Sequence, residues 1–138
     1  MSISIQYDHS DPPSFPYVTV AASNSDREYY VPQQGKIDTG SPITVIPEYL
    51  LKLLDLKKMT TVEVGGFGSE ITPRDAYFLN IKIGNIVFPY VKVISQSDDR
   101  RPNILIGRNI INLWKMNLDG ENHTGSFNEW STNPSNAT

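Results

Sequence analysis

The chain of 138 residues contains no cysteine and only two histidines. The first absence excludes disulfides, thiol nucleophiles and Cys-ligated metals. The shortage of histidine, with no His-Glu-x-x-His pattern, argues against a metal-dependent hydrolase. His9 and His123 lie far apart in the sequence, in polar contexts that suit surface residues. No stretch approaches the ~18 apolar residues of a membrane-spanning helix. The opening Met1–Tyr7 alternates polar and apolar residues without a basic start, unlike a secretory signal. A cytoplasmic protein is the expectation.

An excess of one charge is lacking too. Twelve basic and fifteen acidic residues give a net charge of −3 and are mixed along the chain. Neither a nucleic acid nor a membrane surface is expected as a partner, because there is no basic stripe and no polybasic segment. No internal repeat is evident. The length suits one domain with a real core, and seven Tyr, five Phe and two Trp supply aromatic mass for it. We expect an N-terminal arm over 1–14, a single domain over 15–130 and a Ser/Thr/Asn/Pro-rich disordered tail over 131–138.

Within the domain the pattern is mostly β. Tyr17–Ala21 and Glu28–Val31 flank the turn cluster Ser23–Asp26 and suggest a hairpin, with a third strand over Lys36–Asp38. Thr44–Ile46 suggests a buried strand. Tyr49, Leu50, Leu53 and Leu54 fall at helical spacing over Pro47–Leu54, with Pro47 in the first turn. Met59–Val64 and Ile71–Ile83 flank a glycine cluster. Gly84-Asn85 reads as a hairpin turn into Ile86–Phe88, followed by a strand over Tyr90–Ile94. Ser95–Pro102 reads as a polar surface loop, and Trp114–Asp119 as a last core strand.

The segment that carries chemistry is Ile37-Asp38-Thr39-Gly40-Ser41. An acid here stands on a tight turn at a strand end. Gly40 lets the backbone approach the carboxylate, while Thr39, Ser41 and the turn amides offer donors. Donors favour the ionised acid and burial beside Ile37 favours the neutral one, so such a turn can tune a proton. Alone, Asp-Thr-Gly is equally a plain turn or cap. Far downstream, however, the apolar run Ile104-Leu105-Ile106 enters Gly107-Arg108-Asn109-Ile110-Ile111, a strand passing through a glycine into a short helix.

Together these segments resemble the retropepsin-like (retroviral-type) aspartic proteases, single-domain cellular and microbial members included. The resemblance rests on Asp38-Thr39-Gly40-Ser41, on Leu105-Ile106-Gly107-Arg108-Asn109, and on the flap-like Val64-Gly65-Gly66-Phe67-Gly68-Ser69-Glu70 between them. It covers roughly residues 15 to 120. It implies an all-β acid-protease barrel with one or two short helices and one active-site Asp per chain. Peptide hydrolysis of this type uses two carboxylates, one as base toward water and one as acid toward the carbonyl. With one Asp-Thr-Gly per chain, the resemblance implies a two-fold homodimer in which Asp38 of each copy forms a coupled pair.

The remaining roles follow residue by residue from the same resemblance. Asp38 is the catalytic acid, and because the pair activates water directly no metal or organic cofactor is implied. Thr39 braces the two turns across the dimer, Gly40 donates its amide to the carboxylates, and Ser41 bonds the outer oxygen of Asp38. Gly65, Gly66, Phe67 and Gly68 form a flap that closes on an extended polypeptide substrate. Ile106, Gly107, Arg108 and Asn109 support the site. The chain departs from the viral pattern at Pro42, where viral members place an acid that pairs with the arginine. Arg108 therefore needs another acid or turn carbonyls. Viral members also interleave their termini in a dimer sheet, for which Ser4–Tyr7 and Thr124–Trp130 are the counterparts here. The expected activity is an aspartic endopeptidase preferring apolar side chains. The alternative is a peptide-binding or dimerisation module that keeps the fold without catalysis.

Overall fold

A computed structural model describes residues 2–10, 12–24, 29–65, 68, 70–97 and 103–129. Among these described residues, ten strands and two short helices follow one another. They are β1 Ser2–Asp8, β2 Phe15–Ser23, β3 Val31–Ile37, β4 Thr44–Pro47, α1 Tyr49–Leu53, β5 Thr60–Val64, β6 Thr72–Ile83, β7 Ile86–Gln96, β8 Ile104–Ile106, α2 Arg108–Ile111, β9 Lys115–Asp119 and β10 Thr124–Asn128. The strand order is β5-β6-β7-β4-β8-β3-β2-β1-β10-β9, and β2 also pairs with β6. That extra pairing closes β6, β7, β4, β8, β3 and β2 into a barrel. Period-two alternation supplies its filling: Leu79, Ile81 and Ile83 of β6 all point inward.

The barrel interior is aliphatic. Ile46, Leu50, Leu79, Ile81, Ile104 and Ile110 have no exposed surface, and burial of each such side chain is worth about 1.5–3 kcal/mol. Gly35 on β3 marks a close approach, because a Cβ there would lie 2.6 Å from Ile106 Cδ1 and 2.9 Å from Val20 Cγ1. A second, smaller cluster joins Val45, Ala76 and Ile94 to Ile43, Val62, Val64 and Leu105. In the main core, Phe88, Trp114 and Phe127 pack their rings against one another.

Several expected boundaries shift, each for a physical reason. The strands expected over Glu28–Val31 and Lys36–Asp38 are one strand, β3; Glu28 lies outside the described residues. Pro32 is tolerated inside it because β8 reaches only Gly35–Ile37 on that side, so no ladder bond is lost. Pro47 ends β4, in register with Gln96, instead of opening the helix, and α1 is only five residues long. Ile86–Phe88 and Tyr90–Ile94 are likewise one strand, β7. It continues through an irregularity where Tyr90 takes φ 51° and its amide donates to Asn80 Oδ1 at 3.1 Å.

Of residues 1–14, Ser2–Asp8 form β1, which pairs with β10 through Ser2–Ile5 and with β2 through Gln6–Asp8. The expected last core strand is a surface strand: in β9 only Met116 is half-buried, and β10 follows it. Trp130 and residues 131–138 lie outside the described residues, as does most of the polar loop after Gln96. Among the described residues no helix is long and apolar enough to cross a membrane.

Candidate active site

Asp38 follows directly on β3, and the parallel pairing of β3 with β8 decides where it sits. Gly35, Lys36 and Ile37 run in register with Ile104, Leu105 and Ile106. The ladder's next bond is Asp38 N donating to Ile106 O at 2.9 Å. The two segments picked out in the sequence are thus neighbours in space, joined by backbone hydrogen bonds. The chain then turns: Ser41 N donates to Asp38 O at 3.2 Å, and Gly40 N donates to the carboxylate, Asp38 Oδ1, at 3.1 Å.

The α2 end locks this turn from behind. Arg108 N donates to Ser41 O at 2.8 Å, and the Arg108 guanidinium donates through Nη1 to Thr39 O at 2.8 Å. With Pro42 in place of an acid, Arg108 finds its acceptor in a turn carbonyl. Gly107 permits the contact. A Cβ there would meet the carbonyl carbon and oxygen of Ile43 at 2.5 Å and Ser41 O at 2.9 Å. Its φ of −92° is open to any residue, so what glycine provides at this point is space.

Thr44 ties the layers together and was not singled out from the sequence. Its buried hydroxyl donates to Asn109 Oδ1 at 2.8 Å and accepts from Gly107 N at 3.2 Å. Asn109 Nδ2 in turn donates to Lys92 O on β7 at 2.8 Å. The signal was a single hydroxyl heading the otherwise apolar strand Thr44-Val45-Ile46-Pro47. Such a group cannot be buried at low cost without a partner on each side. Ile43 was also passed over; it carries the turn into the small apolar cluster with Val62, Val64 and Leu105.

Ser41 behaves differently from its expected role. Its hydroxyl donates to Ile43 O at 2.5 Å and not to Asp38, because a carbonyl two residues on lies within reach of a short side chain. The exposure of the turn is graded. Asp38 is half-buried and Thr39 and Gly40 are exposed, so the acid is presented on a surface and not inside a closed pocket.

The flap-like segment joins β5 to β6, which pair antiparallel from Thr60↔Ala76 to Val64↔Thr72. Gly65 and Gly68 are both exposed, with Gly68 at φ 73°. Gly66 and Phe67 lie outside the described residues. The histidines do not join the Asp38 site, but they are not apart either. Pairing of β1 with β10 brings them together, and the His123 ring lies 4.9 Å from His9 and stacks on Tyr7 at 5.2 Å.

A closed barrel whose acid-bearing turn is bonded to a strand-to-helix Gly-Arg-Asn defines the retropepsin-like class of fold. Residues 28–110, more than half the chain, match the aspartyl protease family, and the chain belongs to that family. Among solved structures it is similar to a retropepsin-like aspartic protease from Rickettsia conorii, with TM-score 0.63 and 17% identity over 94% of this chain and 91% of that one. It is also similar to the EIAV protease solved with the inhibitor HBY-793, with TM-score 0.50 and 17% identity over 76% of this chain and 92% of that one. A foamy viral protease-reverse transcriptase matches with TM-score 0.50 and 19% identity over 72% of this chain and 12% of that much longer one. No curated protein sequence matches.

Proposed function

We propose that this protein is an aspartic endopeptidase acting on extended polypeptides, with an active site completed when a second copy brings its own Asp38 to face the first. The observation that carries this is the Asp38 turn itself. The acid is held by Gly40 N and the turn is fixed by Ile106 O and Arg108, while Thr39 and Gly40 remain open to solvent. A rigid, surface-presented carboxylate suits a site shared between copies. A single carboxylate in one chain cannot act at once as base toward water and acid toward the carbonyl. Facing its twin, it divides those two roles, and no metal or organic cofactor enters the scheme.

The surroundings support an extended peptide as substrate. The β5–β6 hairpin, with Gly65, Gly66, Phe67 and Gly68 at its turn, serves as the flap whose backbone binds a strand-like chain and excludes water. Its Val62 and Val64 share an apolar cluster with Ile43 and Leu105 from the two sides of the acid turn. Side chains flanking the scissile bond are therefore preferred when apolar. Ile106, Gly107, Arg108 and Asn109 act by positioning the turn.

The test is cleavage of an unfolded protein substrate between pH 3 and 7 by the wild type and by Asp38→Asn at equal concentration. The wild type cuts and Asp38→Asn does not, with both equally folded and equally dimeric. If neither cuts although both are dimeric, the chain is a peptide-binding or dimerisation module on the same fold.

A further inference from the structure

Strand alternation puts a second charged group on the face that carries Asp38. On β3, Ile37 is buried in the core and Gly35 lies against Ile106 and Val20, so both face the barrel interior. Lys36 between them faces outward. Asp38 shares that face, because the β3–β8 ladder runs on through the bond from Asp38 N to Ile106 O. Two residues along a strand span about 7 Å. A cation and the acid thus occupy neighbouring outward positions of one strand.

The register extends this face sideways. Lys36 pairs with Leu105 on β8, and Leu105 pairs with Val45 on β4. Leu105 and Val45 belong to the small apolar cluster with Ile43, Val62 and Val64. On its other side Lys36 pairs with Tyr17 of β2, whose hydroxyl donates to Gln6 Oε1 at 2.7 Å. The row Tyr17, Lys36, Leu105, Val45 therefore sets a positive charge at the border of the apolar cluster beside the acid turn.

Lys36 is held in place but not neutralised. It is half-buried, and its Nζ lies 4.5 Å from the centre of the Phe15 ring. The ring face attracts the ammonium and fixes where the charge sits. Among the described residues no carboxylate, Asp38 included, lies within ion-pair distance of Lys36. Asp8, which pairs with Phe15 across β1 and β2, is engaged instead by Ser10 and Gln34. A partly buried ammonium without an anion gains from one that arrives with a ligand.

Resting on the reading that Asp38 serves a peptidase, we propose that Lys36 is a specificity-determining residue that selects an acidic side chain, Glu or Asp, one or two residues from the scissile bond. The apolar cluster takes the substrate side chains beside it. The preferred substrate thus combines apolar residues with one acid, and its carboxylate displaces water from the Lys36 ammonium while the Phe15 ring keeps that ammonium in position.

The experiment begins with an unfolded protein digested by the wild type, the cut sites being read by mass spectrometry. A short peptide spanning the best site is then made with Glu, Gln or Lys at each position near the cut in turn. At about pH 5.5, where a free Glu side chain is ionised, one position gives a kcat/KM about tenfold or more higher for Glu than for Lys, since a charged hydrogen bond is exchanged for a like-charge contact. Added salt narrows this ratio. Lys36→Arg keeps it, Lys36→Met removes it and Lys36→Glu inverts it. Lys82→Glu, at a lysine that also lies over a ring, 5.4 Å from that of Tyr30, leaves it unchanged. A folding loss lowers both rates together and cannot produce an inversion.

Equal rates for the Glu and Lys peptides at every position, or a ratio that Lys36→Glu does not move, overturn the proposal and leave the protease reading in place. If the wild type cuts nothing, fluorescence anisotropy separates the two. The probes are a dye-labelled Val/Leu/Thr peptide carrying a single Glu and its Lys counterpart. Tighter binding of the Glu peptide, inverted by Lys36→Glu, keeps the role of Lys36 and ends the protease reading. Equal binding, or none, overturns both.

Discussion

Gly107→Ala adds a single methyl group to an exposed-looking loop sequence, yet the structure predicts one of the larger losses available from so small a change. The new Cβ would lie 2.5 Å from both the carbonyl carbon and the oxygen of Ile43 and 2.9 Å from Ser41 O. All three are backbone atoms, so no rotamer change relieves the clash. Ile43 and Ser41 belong to the Asp38 turn, and Arg108 N is bonded to Ser41 O immediately beside the contact. Either the turn moves away from α2 and loses that bond, or the β8–α2 junction moves and loses the hydrogen bond from Gly107 N to Thr44 Oγ1.

Overpacking costs typically about 1–3 kcal/mol, and one broken hydrogen bond at a buried site about 1 kcal/mol more. For a chain of this length 1 kcal/mol corresponds to roughly 3–5 °C in Tm, so the expected fall is on the order of 6–20 °C. Because the backbone at residue 107 is open to any residue, none of this is dihedral strain. Gly120→Ala is the matched control, since nothing lies within 4 Å of its Cβ position; it should stay within about 0.5 kcal/mol of the wild type. Urea and thermal unfolding followed by circular dichroism read both. If Gly107→Ala melts within about 2 °C of the wild type, the packing of the Asp38 turn against α2 is wrong as described.

Other changes test separate links. Thr44→Val keeps the shape but removes the hydroxyl that joins Gly107 N to Asn109 Oδ1; leaving both buried groups unpaired costs about 1–3 kcal/mol by urea unfolding, whereas Thr44→Ser keeps both bonds and loses less. Arg108→Lys keeps the charge but cannot hold Thr39 O in the same way; Tm should move by no more than about 3 °C while kcat falls and KM changes little. Asp8 accepts from Ser10 Oγ, Gln34 Nε2 and Ser10 N. Those bonds, the Ser10 hydroxyl first, lower its pKa to about 2. Because the folded value is depressed, this stabilisation is present above the ordinary carboxylate value and is lost as pH falls through about 2. Asp8→Asn should therefore flatten the decline of Tm between pH 4 and 2, and an unchanged slope would refute the assignment.

The legible part of this chain was the part where chemistry and backbone need coincide. Asp38-Thr39-Gly40 and Gly107-Arg108-Asn109 announce a tight turn and a strand-to-helix passage, and the structure bonds one to the other. What the local pattern could not show depended on neighbours. The strands expected over Glu28–Val31 and Lys36–Asp38 are one, and the shortness of β8 explains why Pro32 between them breaks nothing. Trp114–Asp119 looked like core because its apolar residues alternate, but alternation shows one apolar face and not what covers it. Thr44 carried no motif. Its importance comes from being buried between two elements distant in sequence, which no window of the sequence contains. The meeting of His9 with His123 likewise follows from the pairing of β1 with β10.

The loss of an acid at Pro42 has a consequence for how the site meets low pH. The contacts that hold the Asp38 turn are Asp38 N to Ile106 O, Arg108 N to Ser41 O, Arg108 Nη1 to Thr39 O, and Ser41 Oγ to Ile43 O. Their members are amides, carbonyls, a hydroxyl and a guanidinium, and none of these changes charge in acid. A guanidinium paired with a carboxylate would lose part of its hold as that carboxylate took up a proton. A guanidinium paired with a carbonyl does not. The remaining contact is the bond from Gly40 N to the carboxylate of Asp38, the group the proposed chemistry uses. Acid sensitivity of the fold is thus assigned away from this turn, to the hydrogen-bonded carboxylates of Asp8 at the end of β1 and Asp119 at the end of β9. A decline of Tm in acid that Asp8→Asn flattens and Arg108→Lys does not is the signature of that separation.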